Sequence, residues 1–474
     1  MQIIVRNLPD CPMNRDPGHF REFSACLARE HRHNAIRMAG ESGVRRAGTP
    51  VAASRTLGPA LSASCTIFAA GCNFKFRERV RLAATGGNGA CRFIRPCPRL
   101  PHRSPEPARM RILCAVHYQN IHHNEEIHRM VKMDCRLKEQ GFSPGSCAVR
   151  TQREKLTACT AALRESGGKL ERLIHALHLS RPENYFSIYQ SGCNMSCRKC
   201  HSWQFSQIAD GTWMSPEVVL GFALAYEKGV TLWEPRQKAT AWHAQESCRC
   251  CGACVLYGER SMLCPAVLPR ESIVLSPQGH GPARNILAFT GGDVMCRPEF
   301  YGRSASLVKE KTRLWVLLET NGFGLTAQNL DYLRDSGVDA FWLDIKAFDP
   351  DKHKWLTGCD NDRILGLPEQ ILARGFVLEV LSLYIPGLVE ADQLTEIARM
   401  LARSDPKIPF TILAFFPEYK MRDFRPPSLT EMVKAYEQVT AAGLTSVRLG
   451  NLGQFVRTDE DLRYLLASLD GNAF

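Results

Sequence analysis

Three closely spaced cysteines form the strongest chemical pattern in this chain. Cys193, Cys197 and Cys200 stand in the run Ser-Gly-Cys-Asn-Met-Ser-Cys-Arg-Lys-Cys-His, with the spacing Cys-x3-Cys-x2-Cys. Three thiolates so close together can hold three irons of a cubic four-iron, four-sulfur (4Fe-4S) cluster, and the fourth iron is left without a cysteine. An open iron predicts a place where a small molecule binds and reacts. The chain has 20 cysteines among 474 residues, so coincidence is the competing explanation.

A second group of cysteines follows further along the chain. Cys248, Cys251 and Cys254 have the spacing of ferredoxin ligands, and Cys264 is followed by proline, as the fourth ferredoxin cysteine is. The gap before Cys264 is longer than in ferredoxins. A tetrahedral zinc site also takes four cysteines, and a group of thiols without a metal is a third possibility. Cys250 is left over, and it could replace Cys248 as a ligand.

The elements that must position these cysteines are short apolar runs that alternate with amphipathic stretches. The predicted strands cover residues 185–189, 286–289, 314–318, 340–343, 378–384, 411–415 and 446–449. Alternation at this spacing predicts parallel strands joined by crossover helices. Six or more such units favour a barrel or partial barrel, in which functional groups lie at the carboxyl ends of the strands.

Residues with chemical potential follow successive predicted strands. The first strand leads into the cysteine loop, the second into Gly291, Gly292 and Asp293, and the fourth ends at Asp344 and Lys346. Paired glycines let backbone groups approach a ligand closely. Asp344 and Lys346 share one face of a strand, so a simple ion pair also explains them. Their common position at one edge of the sheet predicts a single site.

With these motifs the chain resembles the radical S-adenosylmethionine (SAM) superfamily, and most closely the pyruvate formate-lyase activating enzyme group. The resemblance rests on the cysteine loop and on the runs 342–346, 353–358 and 385–387, and it covers about residues 185 to 460. It implies an α/β fold, a partial (β/α)6 TIM-like barrel of the radical SAM type with a small cysteine-rich iron–sulfur insertion.

The resemblance also implies roles for individual residues and two cofactors, a 4Fe-4S cluster and SAM. One electron from the cluster cleaves SAM to methionine and a 5′-deoxyadenosyl radical, which abstracts hydrogen. The implied ligands of the SAM-binding cluster are Cys193, Cys197 and Cys200, and those of a possible second 4Fe-4S cluster are Cys248, Cys251, Cys254 and Cys264. The implied cofactor-binding residues are Gly291, Gly292 and Asp293 for the methionine amino group, Lys346 for its carboxylate, Asp344 beside it, and His201. No catalytic residue beyond the cluster and SAM is expected.

Four positions depart from the family pattern. Lys199 precedes the third cysteine, where an aromatic residue is common, and Asp293 replaces a glutamate. Glu319 stands where the activating enzymes tend to have aspartate in a cation-binding turn, and Phe416 stands where relatives offer a histidine.

The resemblance makes activation of a glycyl radical enzyme, by hydrogen abstraction from a glycine, the most specific expected function. Radical modification of another protein or peptide is the alternative, and a non-catalytic iron–sulfur electron carrier is the alternative from a different class. The expected partners are the protein or peptide substrate and a low-potential electron donor, flavodoxin or ferredoxin. No membrane or nucleic-acid partner is expected.

Composition divides the chain into two parts. The first 130 residues contain 19 Arg and one Lys against nine acidic residues, whereas the remainder is almost neutral although the whole chain carries +12. The net charge therefore does not predict a nucleic-acid partner for the globular part. Clustered cysteines, without a recognisable secretory leader or an apolar run of membrane-spanning length, favour a reducing, cytoplasmic location.

Four segments are predicted from these patterns. Residues 1–132 are expected to be a basic extension, disordered or upstream of the native start, because Pro-, Gly- and Arg-rich runs dominate them. Residues 133–184 are expected to be a helical leader, since leucines and isoleucine over 170–177 are spaced for one helical face. Residues 185–470 form the radical SAM core, and 241–270 form the ferredoxin-like insertion within it.

Overall fold

The computed structural model describes residues 131–469 and 471–474. The predicted extension over residues 1–132 lies outside this range, apart from its last two residues. The strands, numbered in chain order, are β1 (Val131–Lys132), β2 (Val149–Arg150), β3 (Lys155–Leu156), β4 (Leu163–Ser166), β5 (Lys169–Leu179), β6 (Phe186–Gln190), β7 (Thr212–Met214), β8 (Val274–Ser276), β9 (Gly279–Gly281), β10 (Ile286–Gly291), β11 (Trp315–Thr320), β12 (Ala340–Asp344), β13 (Val377–Tyr384), β14 (Phe410–Ala414) and β15 (Val447–Gly450).

Helices connect most of the later strands. They are α1 (Arg136–Glu139), α2 (Ala158–Ala162), α3 (Trp203–Ser206), α4 (Pro216–Glu227), α5 (Ala244–Ser247), α6 (Ala253–Leu256), α7 (Glu299–Lys311), α8 (Ala327–Asp335), α9 (Pro350–Thr357), α10 (Asp362–Leu365), α11 (Leu367–Ala373), α12 (Ala391–Ser404), α13 (Leu429–Ala441) and α14 (Asp459–Ser468).

Seven parallel strands form the centre of the fold. They pair in the order β6-β10-β11-β12-β13-β14-β15, which is also their order along the chain. Each of the seven predicted strands is present, and the α/β, partial TIM-like barrel is confirmed. Because all seven run the same way, their carboxyl ends share one edge, where the cysteine loop, the glycine turn and Asp344 lie.

The predicted helical leader is wrong. Residues 169–179 form β5, which pairs antiparallel with β4 on one side and with β6 on the other, so the central sheet extends beyond the barrel. The turn between β4 and β5 consists of Gly167 and Gly168, both with positive φ (57° and 72°). A two-residue Gly-Gly turn is a strong hairpin signal, and it outweighs the helical spacing of a few leucines. Within residues 131–162, the helices are the short α1 and α2.

The long segment between β6 and β10 covers the amino-terminal end of the barrel. Its first half contains α4, and residues 231–247 then lie against residues at the start of several barrel strands. The Trp315 indole and the Asn285 amide donate to the carbonyl of Glu234, at 2.8 and 3.1 Å. The Trp242 amide donates to Glu379 at 2.9 Å. This segment therefore closes the end of the barrel opposite to the cysteine loop.

Candidate active site

The cysteine loop leaves β6 and is fixed by backbone contacts. Gly192 has a φ of +74°, and a Cβ there would lie 2.9 Å from the Cβ of Ala162. The Ser191 hydroxyl donates to the carbonyl of Asp210 at 2.5 Å. The Gly192 amide donates to the carbonyl of Phe205 at 2.9 Å. These contacts hold the loop between α2 and α3, with no space for a larger residue at Gly192.

Two of the three thiols in this loop, Cys193 and Cys197, lie where burial disfavours the charged form when no metal is present. Burial, followed by the nearby Asp293 carboxylate, raises the pKa of Cys193 to about 12. Burial also raises the pKa of Cys197, although Lys346 acts in the opposite direction. The Cys200 Sγ lies 3.2 Å from the Ser206 hydroxyl. Iron binding would therefore displace protons from neutral thiols, as metal binding to cysteine generally does.

The glycine turn after β10 contacts the cysteine loop backbone to backbone. A Cβ on Gly292 would lie 2.3 Å from the carbonyl oxygen of Gly192, so this contact requires glycine. The Asn194 amide donates to the carbonyl of Asp293 at 2.7 Å. Gly291 has a φ of +88° and is exposed at the strand end. The structure thus brings the cysteines and the glycine turn together, as the sequence predicts.

The Asp293 carboxylate connects neighbouring loops. It is 4% exposed, and it accepts hydrogen bonds from four donors. These donors are the Met295 amide at 2.8 Å, the Thr320 hydroxyl at 2.7 Å, the Asn321 amide at 3.1 Å and the Asn194 side chain at 3.3 Å. Asp293 therefore positions the cysteine loop and the turn after β11, and its predicted contact with the methionine amino group stays a prediction.

Asparagines that the sequence analysis did not select complete this arrangement. The Asn321 side-chain amide lies 2.7 Å from Asn194 Oδ1 and 3.6 Å from the Cys193 Sγ. Asn194 stands next to a predicted ligand, which was an available signal. Asn321 comes from the turn after β11, so only the fold reveals its position beside the first cysteine.

Asp344 and Lys346 form the expected ion pair, and both side chains are about three-quarters buried. Burial by itself would lower the pKa of Lys346. The Asp344 carboxylate and Cys197 have the larger, opposite effect, so the pKa lies above its ordinary value and the ammonium form persists. Asp344 Oδ1 is buried without a hydrogen-bond partner. An unpartnered buried carboxylate oxygen beside the cysteine loop indicates a polar ligand, since such groups are normally satisfied.

The departures at Lys199 and Phe416 are spatially linked. The Lys199 Nζ lies 3.5 Å from the centroid of the Phe416 ring. It is buried without a hydrogen-bond partner, and burial lowers its pKa to about 8. His201 is exposed, and its ring meets Phe416 edge to face at 6.2 Å. An aromatic ring is therefore supplied from the loop after β14, although the position before Cys200 is not aromatic.

Glu319 does not lie in a cation-binding turn. Its carboxylate accepts hydrogen bonds from the Tyr185 hydroxyl at 2.8 Å and the Thr290 hydroxyl at 2.5 Å. Burial raises the pKa of Glu319 to about 8, and both partners are neutral hydroxyls. A carboxyl group with such a raised pKa is a weak cation ligand, because near neutral pH it mostly holds a proton and carries no negative charge.

Three of the predicted insertion cysteines act electrostatically on the fourth, Cys254. Burial raises the pKa of Cys254, and the thiolates of Cys248, Cys251 and Cys264 raise it further. Cys250 has a φ of +56°, and its Sγ lies 3.1 Å from Asn184 Oδ1. The Cys250 thiol thus interacts with Cys248 as well as with a residue outside the insertion, and the predicted set of four ligands stays a prediction.

One further group of thiols lies outside both predicted cysteine motifs. The sulfurs of Cys135, Cys159 and Cys296 all lie within 4.8 Å of one another. Among the described residues, this is the group of three or more His, Cys, Asp or Glu side chains that lies close enough to hold one metal ion. The sulfurs of the cysteine loop are spaced more widely than this. Cys135 and Cys159 come from the segment expected to be helical, and they are far from Cys296 in sequence, so no spacing motif marks them.

Comparison with known proteins agrees with this site. Residues 270–401 match the family model described as the Radical SAM superfamily. A protein of Methanocaldococcus jannaschii, provisionally named a glycyl-radical enzyme activating enzyme, is 29% identical over 127 residues; the match covers 26% of this chain and 48% of that protein. The chain thus spans about half the length of the curated relative that it matches. Residues 270–401, which contain the glycine turn and the Asp344–Lys346 pair, are therefore similar to the Radical SAM superfamily.

Two solved structures are similar in part. A domain of a pyruvate-formate lyase-activating enzyme from Bacteroides vulgatus has 18% identity and a TM-score of 0.30, covering 35% of this chain and 98% of that one. Streptococcus suis SuiB has 12% identity and a TM-score of 0.36, covering 59% and 53%. Within the described residues, no helix has both the length and the apolar character needed to cross a membrane.

The Radical SAM superfamily, to which this part of the chain is similar, implies a 4Fe-4S cluster and SAM. The residues fit these groups. Three thiols of one loop lie at the carboxyl edge of the barrel, a glycine turn lies against them, and buried polar atoms of Asp344 and Lys199 lack partners nearby.

Proposed function

We propose that this protein activates a glycyl radical enzyme by abstracting a hydrogen atom from a glycine of that partner. The observation that supports this best is the junction at the carboxyl edge of the barrel, where the Asn194 amide donates to the Asp293 carbonyl and so joins the cysteine loop to the glycine turn. The distant relative from M. jannaschii supports the choice of a glycyl radical enzyme as target.

In this proposal Cys193, Cys197 and Cys200 hold the cluster. When bound, the cluster supplies one electron to SAM, which yields methionine and a 5′-deoxyadenosyl radical. The chain's own residues bind and orient the cofactor. Lys346 is cationic beside the cysteine loop, so it can pair with the methionine carboxylate in exchange for Asp344.

The glycine turn supplies the other side of the cofactor site. Gly291 is exposed at the strand end, so a ligand can reach the backbone there. Asp293 keeps the turn in place through its four hydrogen bonds, and it is the proposed partner of the amino group. His201 lies at the rim beside Phe416, where a purine ring can stack or accept a hydrogen bond.

The insertion is proposed to hold a second 4Fe-4S cluster on Cys248, Cys251, Cys254 and Cys264, which passes electrons from a flavodoxin or ferredoxin to the first cluster. Zinc in the same four thiols is the alternative. Clustered thiols of this kind require a reducing compartment, for which the cytoplasm is the proposal.

Radical modification of another protein or peptide is the second candidate function. The additional thiol group in the insertion favours it as much as it favours glycine activation. An electron carrier has no use for the Gly291–Asp293 turn or for the unpartnered Asp344 oxygen, so the carrier is the weakest of the three.

The deciding experiment uses the full chain, purified without oxygen, reconstituted with iron and sulfide, reduced and given SAM. Formation of 5′-deoxyadenosine, abolished in Cys193→Ala and retained in the control Cys359→Ser, supports the radical SAM reaction. Addition of a candidate glycyl radical enzyme should then produce the electron paramagnetic resonance doublet of a glycyl radical. A doublet that is absent, with 5′-deoxyadenosine still formed, would move the assignment to the second candidate.

A further inference from the structure

Three buried cysteines meet at a place that the radical SAM reaction does not use. Cys135 caps the start of α1, Cys159 lies in α2, and Cys296 lies in the loop after β10. Their exposed fractions are 8%, 2% and 2%. Their sulfurs all lie within 4.8 Å of one another, and the sulfurs of Cys159 and Cys296 are 3.2 Å apart.

This spacing suits one metal ion. Zinc–thiolate bonds of about 2.3 Å in a tetrahedron place neighbouring sulfurs about 3.8 Å apart. The thiolates of a cubic cluster bind different irons and so stand further apart. A disulfide needs a sulfur–sulfur distance of about 2 Å, and a disulfide would leave the third thiol unused. The convergence of three thiols therefore favours a single tetrahedral ion.

We propose that Cys135, Cys159 and Cys296 bind one zinc ion, and that Cys147 supplies the fourth ligand. Cys147 is half-buried in the loop before β2 and packs against the same core. Cys135, Cys147 and Cys159 are the three cysteines that the structure describes before β4. Binding replaces each S–H bond with an S–Zn bond and releases the proton to solvent.

The ion would attach the segment before β4 to the cofactor site. Cys296 lies three residues after Asp293, and the next residue, Arg297, donates to the carbonyl of Asp134 at 2.5 Å. Arg136 pairs with Glu299 at 2.8 Å. These polar contacts already bring the two segments together, and a zinc ion would make the junction rigid. The site is thus structural, with all four ligands supplied by protein.

The test is metal content in the full chain with the seven predicted cluster cysteines replaced by alanine. We expect about one zinc per chain by plasma mass spectrometry, and intense cobalt d–d absorption typical of tetrahedral thiolates after exchange. Cys296→Ser in this background should remove at least about 80% of the zinc, whereas the control Cys359→Ser should retain it. Circular dichroism checks that each variant folds.

Cys147→Ser tests whether Cys147 is the fourth ligand. If this variant still binds zinc tightly, the assignment of Cys147 is wrong. Zinc unchanged by Cys296→Ser, or a Cys159–Cys296 disulfide found by peptide mass spectrometry in protein purified without oxygen, would overturn the whole proposal. If the seven-alanine chain does not fold, Cys135→Ser and Cys296→Ser are made in the wild-type chain, where each should lower zinc by about one per chain. None of these readings depends on cleavage of SAM.

Discussion

The Tyr185 hydroxyl donates a hydrogen bond to Oε1 of Glu319 over 2.8 Å. Tyr185 is fully buried just before β6, and Glu319 lies on β11, two strands away in the sheet. The second carboxylate oxygen accepts from Thr290 on the strand between them. Burial inside the barrel makes this carboxyl group retain its proton far more strongly than a carboxyl in water, although both hydroxyls act in the opposite direction.

Replacement of Glu319 by glutamine should reduce the loss of stability at alkaline pH. Burial raises the pKa of Glu319 from 4.5 to about 8. Between pH 4.5 and about pH 8 the folded protein therefore holds a proton on Glu319 that the unfolded chain has lost, and the free energy of unfolding falls as the pH rises through this range. The slope is at most about 1.4 kcal/mol per pH unit. We expect the difference in unfolding free energy between pH 6 and pH 8.5, measured in urea, to be smaller in Glu319→Gln. Equal differences in the two proteins would contradict the raised pKa.

Gly292→Ala should weaken the binding of SAM. The new Cβ would lie 2.3 Å from the Gly192 carbonyl, so the glycine turn and the cysteine loop must separate. We expect SAM affinity of the reconstituted protein to fall at least about tenfold, or about 1.4 kcal/mol. Gly221→Ala in α4 is the matched control, because its Cβ meets nothing within 4 Å and alanine favours a helix. Unchanged affinity in Gly292→Ala would show that the turn does not position the cofactor.

The insertion predicts different results for two neighbouring cysteines. Cys254→Ser should lower the iron content from about eight to about four per chain, because it removes one ligand of the proposed second cluster. Cys250→Ser should leave about eight, because that thiol is not one of the four proposed ligands and also contacts Asn184. Iron and sulfide analysis after reconstitution gives the answer. Loss of iron in Cys250→Ser alone would mean that the ligand set contains Cys250, and zinc in place of iron would identify the alternative metal.

Arg284 should be essential for closing the amino-terminal end of the barrel. It is fully buried, pairs with Glu234 at 2.5 Å and donates to the carbonyl of Thr240 at 2.7 Å. Arg284→Met would leave the Glu234 carboxylate without its partner, which typically costs about 3–5 kcal/mol. Arg303→Met, which removes an exposed pair at 3.9 Å, should change the free energy of unfolding by less than about 1 kcal/mol. Thermal and urea unfolding compare the two variants.

The sequence predicted the barrel well because each strand is a short apolar run followed by a distinctive turn. The cysteine loop, Gly291–Asp293 and the pair Asp344–Lys346 all lie at one edge, since parallel strands must place their carboxyl ends together. The ion pair between Asp344 and Lys346 was predicted from the strand period of two. Local pattern and topology were sufficient for these features.

The segment before β6 was predicted wrongly. Its leucines are spaced for one helical face, but the Gly167–Gly168 turn makes β4 and β5 a hairpin. The sequence alone could not predict the contact of Asn321 with Cys193 or the meeting of Cys296 with Cys135 and Cys159. Their positions depend on how loops after different strands pack, and no fixed spacing in the chain records such contacts. The Lys199–Phe416 contact is of the same kind, since it joins two departures that look unrelated in the sequence.

The closed amino-terminal end of the barrel imposes an order on the binding events. Residues 231–247 lie over that end, so we expect reactants to enter and leave at the carboxyl edge beside the cysteine loop. A polypeptide partner that inserts a segment there would cover a small molecule already bound beneath it. We therefore expect a compulsory kinetic sequence in steady-state analysis, with the nucleoside cofactor first to arrive and its fragments last to depart.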